Sequence, residues 1–330
     1  MKGFLVLLAA LLTLTGCGAW DDGDASAFAP GEEERLTVYT SHKAEVYGPI
    51  VREFEERTGI WVQVETGGTA ELLERIAGEG EDTPCDLLFG GGVDSLSACA
   101  DLFESYESPR AADLDPSHRC AGGSWTPFSI LPVVLIYNPV LVRMNPPEGW
   151  SSLLDPAWRG RIAFTSPAVS GSSYTALATL LQALPQGDGD VLSAFFDNLQ
   201  GRALPDSGAV VGAVADGTCV IGITLEETAR KAVQAGSDIA ILYPQEGTSA
   251  IPDGMAVVAG CAHRENARRF IDFALEEDVQ RFLVRVCLRR PVLGEPPEEL
   301  RLIDYDLDWA ANAREDLLAR WRALEEGAAE

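Results

Sequence analysis

The chain has 330 residues, 46% of them hydrophobic and 23% charged, which is enough for two ordinary domains and too apolar for intrinsic disorder. Lysine and arginine number 25 against 51 aspartates and glutamates, a formal charge of −26 that excludes a phosphate-tracking role on DNA or RNA. A small anionic ligand is compatible with that acidity, because N–H groups at helix starts hold an anion inside a cleft whatever the outer surface carries.

Met1 and Lys2 precede an apolar run from Phe4 to Leu14, shorter than the roughly 20 residues of a membrane-spanning helix and suited to a signal-peptide core. The run ends in Leu14-Thr15-Gly16-Cys17, so residues 1–16 read as a lipoprotein signal peptide and Cys17 as the lipidated new N-terminus. Residues 17–34 carry six acids and no base, and read as a solvated acidic tether. Six further cysteines, Cys85, Cys99, Cys120, Cys219, Cys261 and Cys287, form an even set in an exported chain and lead to the expectation of up to three disulfides. Their spacing matches no zinc pattern and the three histidines are scattered, so neither metal nor cofactor is expected.

From Arg35 onward short β-rich runs alternate with helical ones, the pattern of a largely parallel α/β sheet covered on both faces. Leu36–Thr40, Trp61–Glu65 and Cys85–Phe89 read as strands. Helices follow at Val46–Phe54, after Gly67-Gly68-Thr69, and from Asp94. The apolar run Leu131–Tyr137 is the candidate for a strand carrying the chain from one lobe to the next. Beyond it, Ser170-Gly171-Ser172-Ser173 precede a helix, Val220–Thr224 and Ile239–Tyr243 read as buried strands, and a helix starts near Glu226. Ile251–Val258 is another apolar run, whose Pro252-Asp253-Gly254 reads as a structural turn. The last thirty residues read as a helical tail.

No nucleophile elbow, phosphate-binding Walker loop, dinucleotide fingerprint or zinc-protease motif is present. What recurs is Gly, Ser or Thr where a strand gives way to a helix: Thr40-Ser41-His42, Gly67-Gly68-Thr69, Gly90-Gly91-Gly92 and Ser170–Tyr174. Taken singly, each such cluster is ordinary capping or turn chemistry. Taken together, at the carboxyl ends of strands facing one crevice, they form an oxyanion receptor. Glu226 reads either as a first-turn partner of the helix dipole or as a polar contact to ligand hydroxyls.

The segments LTVYTSHKAEVYGPIVREFEERTGIWVQVETGGTAELLERI, DLLFGGGVDSL, SGSSYTALATLL and YPQEGTSAIPDGMAVVAG followed by ENARRFIDF resemble ABC-transporter solute-binding proteins of the ferric-ion-binding superfamily, over about Leu36 to Val292. Within it the chain is most similar to the branch that binds phosphorylated sugars or organophosphonates. The resemblance implies a type II periplasmic-binding fold, with residues 35–130 plus 251–290 as one lobe and 131–250 plus 291–330 as the other. It places Ser41, His42, Gly68, Thr69, Gly91 and Gly92 on one side of the ligand and Ser170, Gly171, Ser172, Ser173, Thr224 and Glu226 on the other. Ferric-binding members carry adjacent tyrosines where this chain has ITLEE, so iron is the weaker branch.

The expectation is therefore a membrane-anchored, extracytoplasmic, monomeric receptor without enzymatic activity. It passes a small anionic solute to ABC permease and ATPase subunits. Within the binding class, ferric ion, phosphonate and polyamine are the alternatives. An exported hydrolase and a sensory module built on the same fold are the rivals from other classes.

Overall fold

The computed structural model describes residues 30–184, 188–293 and 300–329. Cys17, the leader and residues 17–29 of the tether lie outside them. Glu32–Glu34 form one 3-10 turn rather than free tether, anchored by the Arg35–Glu32 ion pair at 2.8 Å. No described helix is long and apolar enough to cross a membrane.

The first layer is built from β1 (Arg35–Thr40), α1 (Ala44–Thr58), β2 (Trp61–Thr66), α2 (Thr69–Glu79), β3 (Leu87–Gly92) and α3 (Val93–Ala98). α1 buries Val46, Ile50, Val51 and Phe54 at helical spacing and stops at Gly59, whose φ of 72° is the left-handed cap that glycine adopts without strain. β3 begins two residues later than the apolar run suggests and runs on through the three glycines. β1 pairs in parallel with β2 and β3, as the alternating pattern predicts.

β4 (Thr126–Tyr137) is the long strand that leaves this half. β5 (Ile162–Thr165), α4 (Gly171–Ala183), α5 (Asp188–Leu199), β6 (Ala203–Leu204), α6 (Ala209–Ala215), β7 (Ile221–Leu225), α7 (Glu226–Gln234) and β8 (Ala240–Leu242) build the second half. β9 (Ala250–Val257) then returns to the first, followed by α8 (Arg264–Ala274), α9 (Glu277–Phe282) and β10 (Arg290–Pro291). α10 (Leu307–Ala329) closes the chain.

The path through the sheet is β2-β1-β3-β9-β4-β7-β5-β6. The outer strands are parallel, but the two crossing strands are antiparallel to their neighbours. Thr126–Pro132 of β4 pairs with β9, whereas Val133–Tyr137 pairs with β7 and β8. Pro132, which has no N–H to give, sits where the strand changes partners. Pro252, Asp253 and Gly254 belong to β9 and are not a turn.

Two main cores form on either side of that change. One gathers Phe54, Phe89, Phe128 and Phe270, with edge-to-face contacts at 4.7–5.2 Å. The other gathers Phe164, Phe195 and Trp150 with Trp321 of α10, and a smaller cluster around Val210 and Val214 flanks it. Each such side chain, fully buried, stabilises its lobe by about 1.5–3 kcal/mol. The six described cysteines are all free thiols, which corrects the disulfide expectation. Cys85, Cys261 and Cys287 fill the first core while Cys219 fills the small cluster of the other half, so they pack as small apolar side chains.

Candidate functional site

Between the lobes lies a cavity of about 420 Å³. Of the twelve residues expected from sequence to touch ligand, eleven line it: Ser41, His42, Gly68, Thr69, Gly91, Gly92, Ser170, Gly171, Ser172, Ser173 and Thr224. Glu226 does not. It is the first residue of α7, and its carboxylate accepts two bonds from Arg290 at 2.6 Å and one from the Tyr243 hydroxyl. Burial raises the pKa of that carboxyl, but Arg290 and Tyr243 outweigh it and hold Glu226 below its ordinary value. Its neighbour Glu227 lines the cavity instead, because successive helical residues point about 100° apart.

The wall of the first lobe is held by backbone geometry. Thr40 Oγ1 donates to the Phe89 carbonyl at 2.6 Å and accepts from the His42 N–H, fixing the loop after β1. Glu71 accepts from the Gly68 N–H at 3.2 Å, while the first-turn N–H groups of Thr69 and Ala70 have no acceptor among the described residues. Gly91, at φ 94°, carries a side chain only with strain, since a Cβ would stand 2.6 Å from Thr69 Cγ2.

On the second lobe the wall is the start of α4. Ser170 caps the helix by accepting from the Ser173 N–H, and its hydroxyl lies 3.1 Å from that of Ser172. The N–H groups of Gly171 and Ser172 have no acceptor among the described residues, and the dipole of this 13-residue helix points its positive end at the cavity. The two walls nearly touch. A Cβ on Gly171 would be 2.9 Å from Thr69 Cβ, and one on Gly68 would be 3.0 Å from the Val169 carbonyl.

Four carboxylates also line the cavity, and each has a partner. Glu71 caps α2 and Asp206 accepts from the Gly208 and Ala209 N–H groups. Asp253 accepts from Arg289 at 2.7 Å and from the Ser129 hydroxyl at 2.6 Å, while Glu227 accepts from Arg289 at 3.0 Å and from Lys231 at 2.6 Å. Burial works against the Arg289 charge, but Asp253 and Glu227 outweigh it and raise its pKa. Lys43 also lines the cavity and makes no ion pair with a described carboxylate. His42 is held neutral by burial and by the nearby Arg289 and Lys231 charges, so its 3.2 Å approach to Asp253 is no ion pair. Its Nε2 has no hydrogen-bond partner among the described residues. Lys43, the Asp206–Gly208 turn, Glu227, Asp253 and Arg289 escaped the sequence reading.

Two α/β lobes, crossed by β4 and β9 and closing a polar cleft at the strand ends, define a type II periplasmic-binding fold. The family model for bacterial extracellular solute-binding proteins matches residues 84–309, and the chain belongs to that family. Iron uptake protein A1 of Synechocystis sp. is 29% identical over 315 residues, 89% of this chain and 85% of the relative. A putative 2-aminoethylphosphonate-binding periplasmic protein of Salmonella typhi is 23% identical over 251 residues, 73% of this chain and 72% of the relative. The solved structure of the periplasmic binding protein AfuA from Actinobacillus pleuropneumoniae, with exogenous fructose-6-phosphate bound, matches with a TM-score of 0.81. It is 22% identical and covers 88% of this chain and 98% of that one.

Proposed function

We propose that this chain captures a small phosphorylated solute, a hexose phosphate or an organophosphonate, and presents the closed form to the permease and ATPase of an ABC importer. The observation that carries this reading is the α4 start, where two N–H groups without acceptors and the hydroxyls of Ser170 and Ser172 face Gly68 and Thr69 across the cavity. A phosphoryl group fits that donor set, and Thr224 and Thr228, which also line the cavity, would meet a polyol or amine. Ligand touching both walls favours closure only by its differential contacts with the closed form.

The same reading anchors the chain extracytoplasmically through a lipid on Cys17, as a monomer and without enzymatic activity. It assigns residues 35–130 plus 251–290 to one lobe and 131–250 plus 291–330 to the other. The relation to Iron uptake protein A1 favours ferric ion as a second reading. Against it stands the lining: ferric ion seeks hard anionic oxygen, typically phenolate and carboxylate, and no described tyrosine faces the cavity. Calorimetry with fructose 6-phosphate and with ferric citrate separates the two. Ser172→Asp is expected to abolish fructose 6-phosphate binding, and Ser172 with Ser173 both changed to Asp likewise. Unchanged affinity would overturn the site. Native mass spectrometry of protein purified without added solute is expected to show a co-purified mass near that of a hexose phosphate.

A further inference from the structure

Behind the cleft, Asp94 lies in the first turn of α3 of the first lobe and is fully buried. Its Oδ1 accepts from the Ser95 N–H at 2.6 Å. Its Oδ2 accepts from Thr175 Oγ1 at 2.7 Å and from the Tyr305 hydroxyl at 3.1 Å. Thr175 belongs to α4 of the second lobe, one turn below the serines of the cleft, and Tyr305 to the segment leading into α10. No described Lys, Arg or His forms an ion pair with Asp94, and its Oδ2 accepts one hydrogen bond from the second lobe, through Thr175, and one from the C-terminal segment, through Tyr305. Burial and the Asp94 charge raise the Tyr305 phenol well above its ordinary value, which keeps it a donor. The same C-terminal segment grips α4 a second time, since the Tyr174 hydroxyl donates to the Ala310 carbonyl and Arg314 lies 4.5 Å over the Tyr174 ring.

We infer that Asp94 is the positioning residue of the closed form, a carboxylate latch that ties the first lobe to the α4 start and to the C-terminal segment only when the cleft is shut. Opening the cleft would draw Thr175 away and leave the carboxylate of Asp94 short of a donor, so the bond counts toward closure and not toward any one ligand. Removing it lowers the closed fraction, and apparent affinity falls in proportion for every ligand that needs closure.

This rests on the two-lobed binding reading but not on the identity of the solute. The test measures stopped-flow dissociation and equilibrium affinity for fructose 6-phosphate, 2-aminoethylphosphonate and ferric citrate, in wild type, Asp94→Ala and Tyr305→Phe. Asp94→Ala is expected to speed dissociation about tenfold or more for each probe that wild type binds, by one common factor, with association little changed. Tyr305→Phe, which leaves Asp94 and the cavity lining in place, is expected to give a smaller common factor of about threefold, and it carries the test alone if Asp94→Ala fails to fold. Unchanged dissociation in both variants overturns the latch, and so does a loss confined to one probe, which would make Asp94 a ligand contact. If ferric citrate binds and the phosphorylated probes do not, the phosphorylated-solute reading fails while the latch is still read on ferric citrate. Small-angle scattering of the variants with the bound probe is expected to show a larger radius of gyration than wild type, and an equal radius counts against the latch.

Discussion

The two walls of the cleft reach a similar donor surface by different means. On the first lobe, it is made by glycine backbone at the ends of β2 and β3, where the chain passes so close to Thr69 that a side chain at Gly91 would be strained. On the second, it is made by one long helix start whose serines supply both cap and hydroxyls. The first wall is therefore fixed by sterics within its lobe, whereas the second can change chemistry without losing its fold.

Gly171→Val should break that contrast most severely. The added side chain strikes Thr69 of the opposite lobe, not its own, so fructose 6-phosphate binding is expected to fall at least about a hundredfold while thermal stability stays within about 0.5 kcal/mol of wild type. Calorimetry and differential scanning read the two quantities separately. Gly171→Val with intact binding would mean that the walls do not meet on closure.

Glu226→Gln tests the joint beneath the walls. It leaves the partly buried Arg290 without its counter-charge, at a cost of about 3 kcal/mol by denaturant unfolding. Because the carboxyl is held below its ordinary value in the fold, its contribution is present above about pH 4.5 and disappears as pH falls through the lowered value. The variant should therefore lose less stability than wild type on acidification below pH 4.5. Equal acid sensitivity would show that the pair is not the source.

Gly91→Val is expected to cost the first lobe about 1–3 kcal/mol, since both its φ and its contact with Thr69 resist a side chain. A stable Gly91→Val protein would show that the strand end is softer than its geometry implies. His42→Asn should sharpen the comparison in the mildest way. The neutral imidazole is favoured by burial, so its folded pKa lies below about 6.5 and wild-type stability declines by up to about 1.4 kcal/mol per pH unit below that point. The variant should flatten the decline between pH 6.5 and 5, and an unaltered slope would place the titration elsewhere.

Local patterns predicted much of this. The α1 stripe ends at Gly59 where the sequence puts the stop, and Ser170 caps α4 as a serine before a helical run should. Where reading along the chain misled, the deciding partner lay far away in it. Asp253 looked like a turn residue because Pro and Gly flank it, but β4 and Arg289 hold it in a strand. Glu226 looked like a ligand contact until Arg290, remote in sequence, claimed its carboxylate.

The sequence by itself determined the alternation of strands and helices, the capping serines and the glycines at strand ends, since each depends on residues within one turn or strand of each other, and it carried the family resemblance as an ordered series of such local segments. Only the tertiary structure decided which of two adjacent glutamates faces the cleft, that the six described cysteines stay unpaired, and that Asp94 joins Thr175 and Tyr305. Those outcomes depend on distances between segments that are far apart along the chain, and such distances are set by how the lobes pack and not by local propensity.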